Sequence, residues 1–114
     1  MADSQSISQV AHTDGLLMVS LSGEITFHER NLVREILTDL SKATPVTGIE
    51  IDLQQVSCID SSGLALLVDM YKRFNGQISV IVAGSSQPDR LLRRANITTF
   101  LNVRSVPSTK PSVQ

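Results

Sequence analysis

Ile49-Glu50-Ile51-Asp52-Leu53, followed after a short polar spacer by Ile59-Asp60-Ser61-Ser62-Gly63-Leu64, is the stretch on which the fold of this chain turns. Ile49, Ile51 and Leu53 alternate with Glu50 and Asp52, the period of a strand with one face buried. Beyond it, Leu64, Leu67, Val68, Tyr71 and Phe74 recur at helical spacing, and Asn75-Gly76 supplies a left-handed stop. The hexapeptide therefore reads as a loop feeding a helix N-terminus, where free backbone N–H groups and the positive end of a helix dipole gather. Serine is a preferred N-cap, so in the plainest reading Ser61 or Ser62 does no more than close that helix end. On a helical wheel Leu64, Leu67, Val68 and Tyr71 turn inward. Ser62, Ala65, Leu66 and Asp69 then share an outer face open to a partner.

Upstream, Ile7 to Ala11 and Leu16 to Ser22 form a hairpin around the turn signal Thr13-Asp14-Gly15, and Gly23 ends its second strand. Thr26-Phe27-His28-Glu29 has the form of a capping box and starts a helix whose buried stripe is Leu32, Val33, Ile36, Leu37 and Leu40. Thr44-Pro45-Val46-Thr47-Gly48 breaks it. Downstream, Ile78 to Ala83 is a nearly continuous apolar strand, as in the middle of a sheet. Ser86-Gln87-Pro88-Asp89 opens a third helix, with Leu91, Leu92 and Ala95 facing the core and Arg90, Arg93 and Arg94 on a solvated face. Ile97, Phe100, Leu101 and Val103 cap the core and lead into a short strand, Asn102 to Val106. The predicted architecture is one α/β domain over residues 6–106, with a mainly parallel sheet, an N-terminal hairpin and helices packed on it. Residues 107–114 have the polar, proline-containing character of a disordered tail.

A chain of 114 residues is large enough for one core and too short for two. The formal net charge is −1 with both signs interspersed, so no electrostatic footprint for nucleic acid or an anionic membrane is visible, and a protein partner is expected. Apolar runs fall far short of a bilayer span, and no basic segment followed by an apolar stretch opens the sequence, which makes a cytoplasmic protein the expectation. Cys58 is the only cysteine, so an intrachain disulfide is excluded. His12 and His28 lack a metal-ligand pattern, and no cofactor is implied.

The run Val56-Ser57-Cys58-Ile59-Asp60-Ser61-Ser62-Gly63-Leu64-Ala65 after its apolar strand resembles the signature of the STAS domain family, specifically the bacterial anti-sigma factor antagonists. The similarity runs from about Leu16 to about Val103, and Gly23-Glu24-Ile25 matches the family's early Gly-Glu-hydrophobic step. The resemblance implies phosphorylation on the serine after the aspartate, Ser61, less so on Ser62, by an anti-sigma factor serine kinase. A serine phosphatase acting on the phosphorylated form is implied as a second partner. Partner contacts are expected at Ser62, Ala65, Leu66 and Asp69 on the outer face of that helix, at Asp60 and Gly63 around the serine and, from the neighbouring loop at the same end of the sheet, at Gly23, Glu24 and Thr26. Two departures stand out. Thr26 occupies a position where relatives usually carry aspartate, and the C-terminal residues offer no final helix of the kind many relatives have.

Other chemistries fit less well. A nucleophilic serine needs a base within hydrogen-bond reach, and His28 is the nearer of two poorly placed histidines. No glycine-rich loop with a lysine is present to cradle a nucleotide. Asp52 lies where a two-component receiver domain takes phosphate, but Gly23-Glu24-Ile25-Thr26 has one acid where that family needs two, and Gly84-Ser85-Ser86 has no lysine. Asp52 is better read as a polar outward position on a half-buried strand. The sequence thus points to a non-enzymatic switch. A STAS scaffold in a transporter or signalling complex, without a phosphorylation cycle, is the alternative.

Overall fold

A computed structural model describes residues 7–43 and 46–107. The chain runs β1 (Ile7–Thr13), β2 (Leu16–Ile25), α1 (Phe27–Ala43), β3 (Gly48–Ile59), α2 (Ser61–Arg73), β4 (Ile78–Ala83), α3 (Gln87–Arg94), a short 3₁₀ turn (Ile97–Thr99) and β5 (Asn102–Val106). The five strands lie side by side in chain order, β1 antiparallel to β2 and every later pair parallel. Asp14 and Gly15 close the first hairpin with φ of 53° and 84°. Two left-handed residues make the tight turn whose twist suits paired strands, and Asp-Gly is the dipeptide that tolerates it best.

Each parallel crossover steps one strand in the same direction, so right-handed connections leave all three helices on one face of the sheet. Burial follows that rule. Leu17, Val19 and Leu21 of β2, Ile49, Ile51 and Leu53 of β3, and Ile78, Val80 and Val82 of β4 are buried in one core, joined by Val33 and Leu37 of α1 and Leu66, Leu67 and Met70 of α2. The intervening Met18, Ser20, Glu50, Asp52 and Ser79 are half-buried on the other face. Asp52 is outward as expected, its carboxylate accepting from the Gln54 N–H at 2.9 Å. Ile81 is buried on that open face, outside the core cluster, between Asp52 and Arg104 in the ladder.

Several sequence expectations are corrected. β3 includes Ile59, the first residue of the hexapeptide expected to be a loop. Its register against β2 shifts between Ser20 and Ser22 and again between Gly23 and Glu24, each time with one extra residue in β3. These bulges break the period of two, so the buried positions become Leu53, Val56 and Ile59. Gly23 does not end β2, which passes through it to Ile25. On α1, Val33 and Leu37 are buried but Leu32 and Ile36 are exposed, because a helix over one sheet face buries a narrower stripe. Ala95 and Phe100 are exposed, although the Phe100 ring meets Tyr71 edge-on with centroids 5.0 Å apart. The predicted break at Thr44-Pro45 and the predicted tail, apart from Pro107, lie outside the described residues.

Candidate functional site

Because β2, β3 and β4 are parallel, the turns after Ile25, Ile59 and Ala83 open at one end of the sheet, the end where α/β proteins gather functional groups. Ile25 and Ile59 are ladder partners, which brings Thr26 beside Asp60. The Gly23–Thr26 turn and the Asp60–Gly63 turn thus form one surface. Ser57 fastens it from behind, its hydroxyl donating to the Gly23 carbonyl at 3.3 Å.

Neither serine caps α2. The N-cap is Asp60, in extended conformation, with its carboxylate accepting from the N–H of Ser62 at 2.8 Å and of Gly63 at 3.3 Å. Sequence reasoning left the cap to a serine, but a carboxylate satisfies the same orphan donors and adds a favourable charge at the positive helix end. Ser61 is therefore released from that duty. It is the first residue of α2, exposed, and its hydroxyl has no partner among the described residues.

The inner face of α2 is Gly63, Leu66, Leu67, Met70 and Phe74, rotated from the wheel drawn on the sequence. Leu66, expected on the contact face, is 1% exposed in the core. Gly63 is buried as well, and its lack of a side chain has a packing reason: a β-carbon there would lie 2.8 Å from Ile59 Cβ and 3.2 Å from the Ile25 carbonyl oxygen. Leu64, Val68 and Tyr71, expected inside, are half-buried on one flank. Ser62, Ala65 and Asp69 occupy the other flank, also half-buried, toward α1. Arg34 of α1 meets Asp69 at 3.5 Å, a half-exposed ion pair between the two helices. Gly23, Glu24 and Asp60 are exposed, and Thr26 is half-buried.

Thr26 opens α1 in an altered capping box. Its N–H donates to Glu29 Oε1 at 3.3 Å, and its hydroxyl donates to the same carboxylate oxygen rather than receiving the Glu29 N–H. That hydroxyl, with the Glu29 N–H, holds the Glu29 carboxyl below the usual range. A carboxylate thus stands against Thr26, one turn into the helix. Beside it Phe27, which the sequence reading passed over, is 62% exposed. The Arg30 guanidinium lies over its ring, 5.5 Å from the centroid.

The first turn of α3 carries two more residues whose roles sequence reasoning missed. Asp89 is only 6% exposed. Burial alone would raise its pKa, but the Ser85 N–H, the Ser105 hydroxyl and Arg93 at 2.9 Å together hold it below the usual carboxylate range. A depressed folded-state pKa means stabilisation that is complete at neutral pH and fades as the pH falls below about 4 toward the folded value. Asp89→Asn is expected to lose about 1–3 kcal/mol at pH 7, with the deficit shrinking in acid, as urea titrations across pH would show. A deficit independent of pH would mean that the charge is irrelevant. The second residue is Gln87, whose carboxamide bonds the backbone of Ile59.

Residues 8–113 match the STAS domain family. The chain belongs to that family. A curated relative, an anti-sigma F factor antagonist of Paenibacillus polymyxa, is 31% identical over 67 residues, a stretch that spans 59% of this chain and 57% of that protein. Among solved structures, an anti-sigma factor antagonist from Mycobacterium paratuberculosis superposes with a TM-score of 0.74 at 22% identity, covering 95% of this chain and 88% of the other. The unphosphorylated form of the antagonist SpoIIAA gives 0.72 at 16% identity over 86% of each chain. The phosphorylated Bacillus form gives 0.63 at 19% identity, over 86% of this chain and 89% of that one. At such identities these structures establish the fold of this STAS domain. No helix among the described residues is long and apolar enough to cross a membrane.

Proposed function

We propose that this STAS domain is a phosphorylation-switched anti-sigma factor antagonist. Unmodified, it binds an anti-sigma factor serine kinase in the cytoplasm and frees the sigma factor. Phosphorylated on Ser61, it lets go, until a serine phosphatase resets it. The observation that carries this reading is the division of labour at the start of α2: Asp60 caps the helix, leaving an exposed Ser61 hydroxyl with no structural task. The curated relative supports the partner class, and SpoIIAA, known in unphosphorylated and phosphorylated forms, supports the switch. The domain acts here as a substrate and ligand of enzymes. Ser61 and His28 share no hydrogen bond among the described residues, so a base-activated serine has no support in the geometry. Thr26 lacks the charge of the aspartate usual in relatives, but the Glu29 carboxylate bonded to it supplies a negative group at the same end.

Incubation with ATP and the partner kinase, followed by mass mapping, tests the assignment. Ser61→Ala is expected to abolish modification, and stoichiometric phosphate on that variant would overturn it. No phosphate on the wild-type chain would favour a constitutive scaffold instead. The contact surface is drawn around Ser61 from exposed Phe27, Gly23, Glu24 and Asp60 and the half-buried flank of Thr26, Ser62, Ala65 and Asp69. Ala65→Arg is expected to weaken the complex by about tenfold or more, because a bulky charge is forced into the interface. Its melting temperature should stay within about 4 °C of wild type. Equal damage to stability and binding would mean that Ala65 serves the fold.

A further inference from the structure

β3 outruns the strand beside it. Its ladder to β4 ends at the pair Asp52 and Ile81, whereas β3 itself continues to Ile59. On that side the last rung is made by a side chain. Gln87 Nε2 donates to the Ile59 carbonyl at 2.9 Å, and Gln87 Oε1 accepts from the Ile59 N–H, also at 2.9 Å. A primary amide carries the donor and acceptor of a peptide group, so this carboxamide stands in for a neighbouring strand residue.

Both ends of that rung are fixed independently. Gln87 is the first residue of α3, which Ser86 caps by accepting from the Asp89 N–H, and Asp89 is in turn held by Ser85, Arg93 and Ser105. Ile59 is buried beneath the first turn of α2, where a β-carbon at position 63 would lie 2.8 Å from its own. Asp60 and Ser61 follow directly. Without Gln87, the segment that aims them would hold to the sheet only through β2 and its two bulges.

We propose that Gln87 is a positioning residue for Ser61: it pins the end of β3 to α3, so that the acceptor hydroxyl is presented in one place. Its role in phosphoryl transfer rests on the reading of Ser61 given above, and its role in ordering the turn does not.

Gln87→Leu keeps the bulk and removes both hydrogen bonds. Native-state amide hydrogen exchange is expected to rise about tenfold at residues 59–63 relative to core amides such as Ile51 and Val80. With ATP and the partner kinase, kcat for Ser61 should fall about tenfold while KM stays within about twofold, since the contact surface is untouched and only the aim of the hydroxyl is lost. Ile49→Val is the comparison, a core trim at the opposite end of β3 from Ile59 that should raise exchange everywhere and leave kcat alone. Uniform exchange in Gln87→Leu would overturn the proposal, as would selective loosening with an unchanged kcat. If wild-type Ser61 accepts no phosphate, the switch reading falls, and the exchange pattern alone decides whether Gln87 orders the turn.

Discussion

Replacing Gly63 by valine is expected to lower the melting temperature of the domain by about 10–15 °C, from a cost of about 3 kcal/mol at roughly 4 °C per kcal/mol. The cause is steric. Gly63 is helical and has no positive φ, so no backbone strain opposes a side chain. Space does: the first added carbon would sit 2.8 Å from Ile59 Cβ, a separation that packed β-carbons do not adopt, and 3.2 Å from the Ile25 carbonyl oxygen. Neither neighbour can retreat cheaply, because Ile25 and Ile59 are buried partners in the β2–β3 ladder. Gly63→Ala sharpens the test. Alanine favours a helix interior over glycine by about 1 kcal/mol, so a loose site would make that variant more stable. Loss of stability in both variants, larger for valine, is the expected result. Stabilisation by alanine would show that close approach of α2 to the sheet is not what Gly63 provides.

The same contact explains why part of the site was legible in the sequence and part was not. Asp60-Ser61-Ser62-Gly63 after an apolar strand was enough to locate a strand-to-helix turn, and the family resemblance is what singles out Ser61 there as the proposed acceptor. The Asp-Gly hairpin and the span of β5 were equally readable, since short-range turn chemistry and a proline stop determine them. The phase of α2 was not. A wheel drawn from Leu64, Leu67, Val68 and Tyr71 finds the largest apolar side chains, but the orientation is decided by which residue can lie closest to the sheet. That residue is Gly63, and it carries Leu66 inward with it. The second half of β3 was hidden for a different reason, because two bulges interrupt the alternation, one between Asp52 and Gln55 and one at Ser57. Gln87 and Asp89 left no signal at all. Their partners, Ile59, Ser85 and Ser105, come together only when three strands and α3 are assembled.

A phosphate on Ser61 is expected to weaken the complex with the kinase by about a hundredfold or more while leaving the domain folded. The local electrostatics nearly balance. A phosphoserine carries roughly −1.5 to −2 charges at neutral pH. The N-terminal end of α2 attracts it. The two N–H groups that would hold it best, those of Ser62 and Gly63, are already taken by Asp60, so the new anion stands in solvent beside an existing one. Salt screens exposed charges of this kind, and the melting temperature should move by less than about 4 °C. At an interface the balance changes. A partner closing over Phe27, Ser61 and Ala65 would strip water from a dianion whose natural counter-groups are occupied, and an uncompensated buried charge costs several kcal/mol. About 3 kcal/mol is already more than a hundredfold in Kd. Calorimetric titration of the partner kinase with unmodified and phosphorylated protein measures the first quantity, and amide chemical shifts of the free forms measure the second. Shift changes should be confined to residues 56–65 and the Gly23–Thr26 turn. Changes spread through β4, β5 and α3 would instead mean that phosphate repacks the domain, and release would then have to be sought in a conformational change rather than in the desolvation of one charged group.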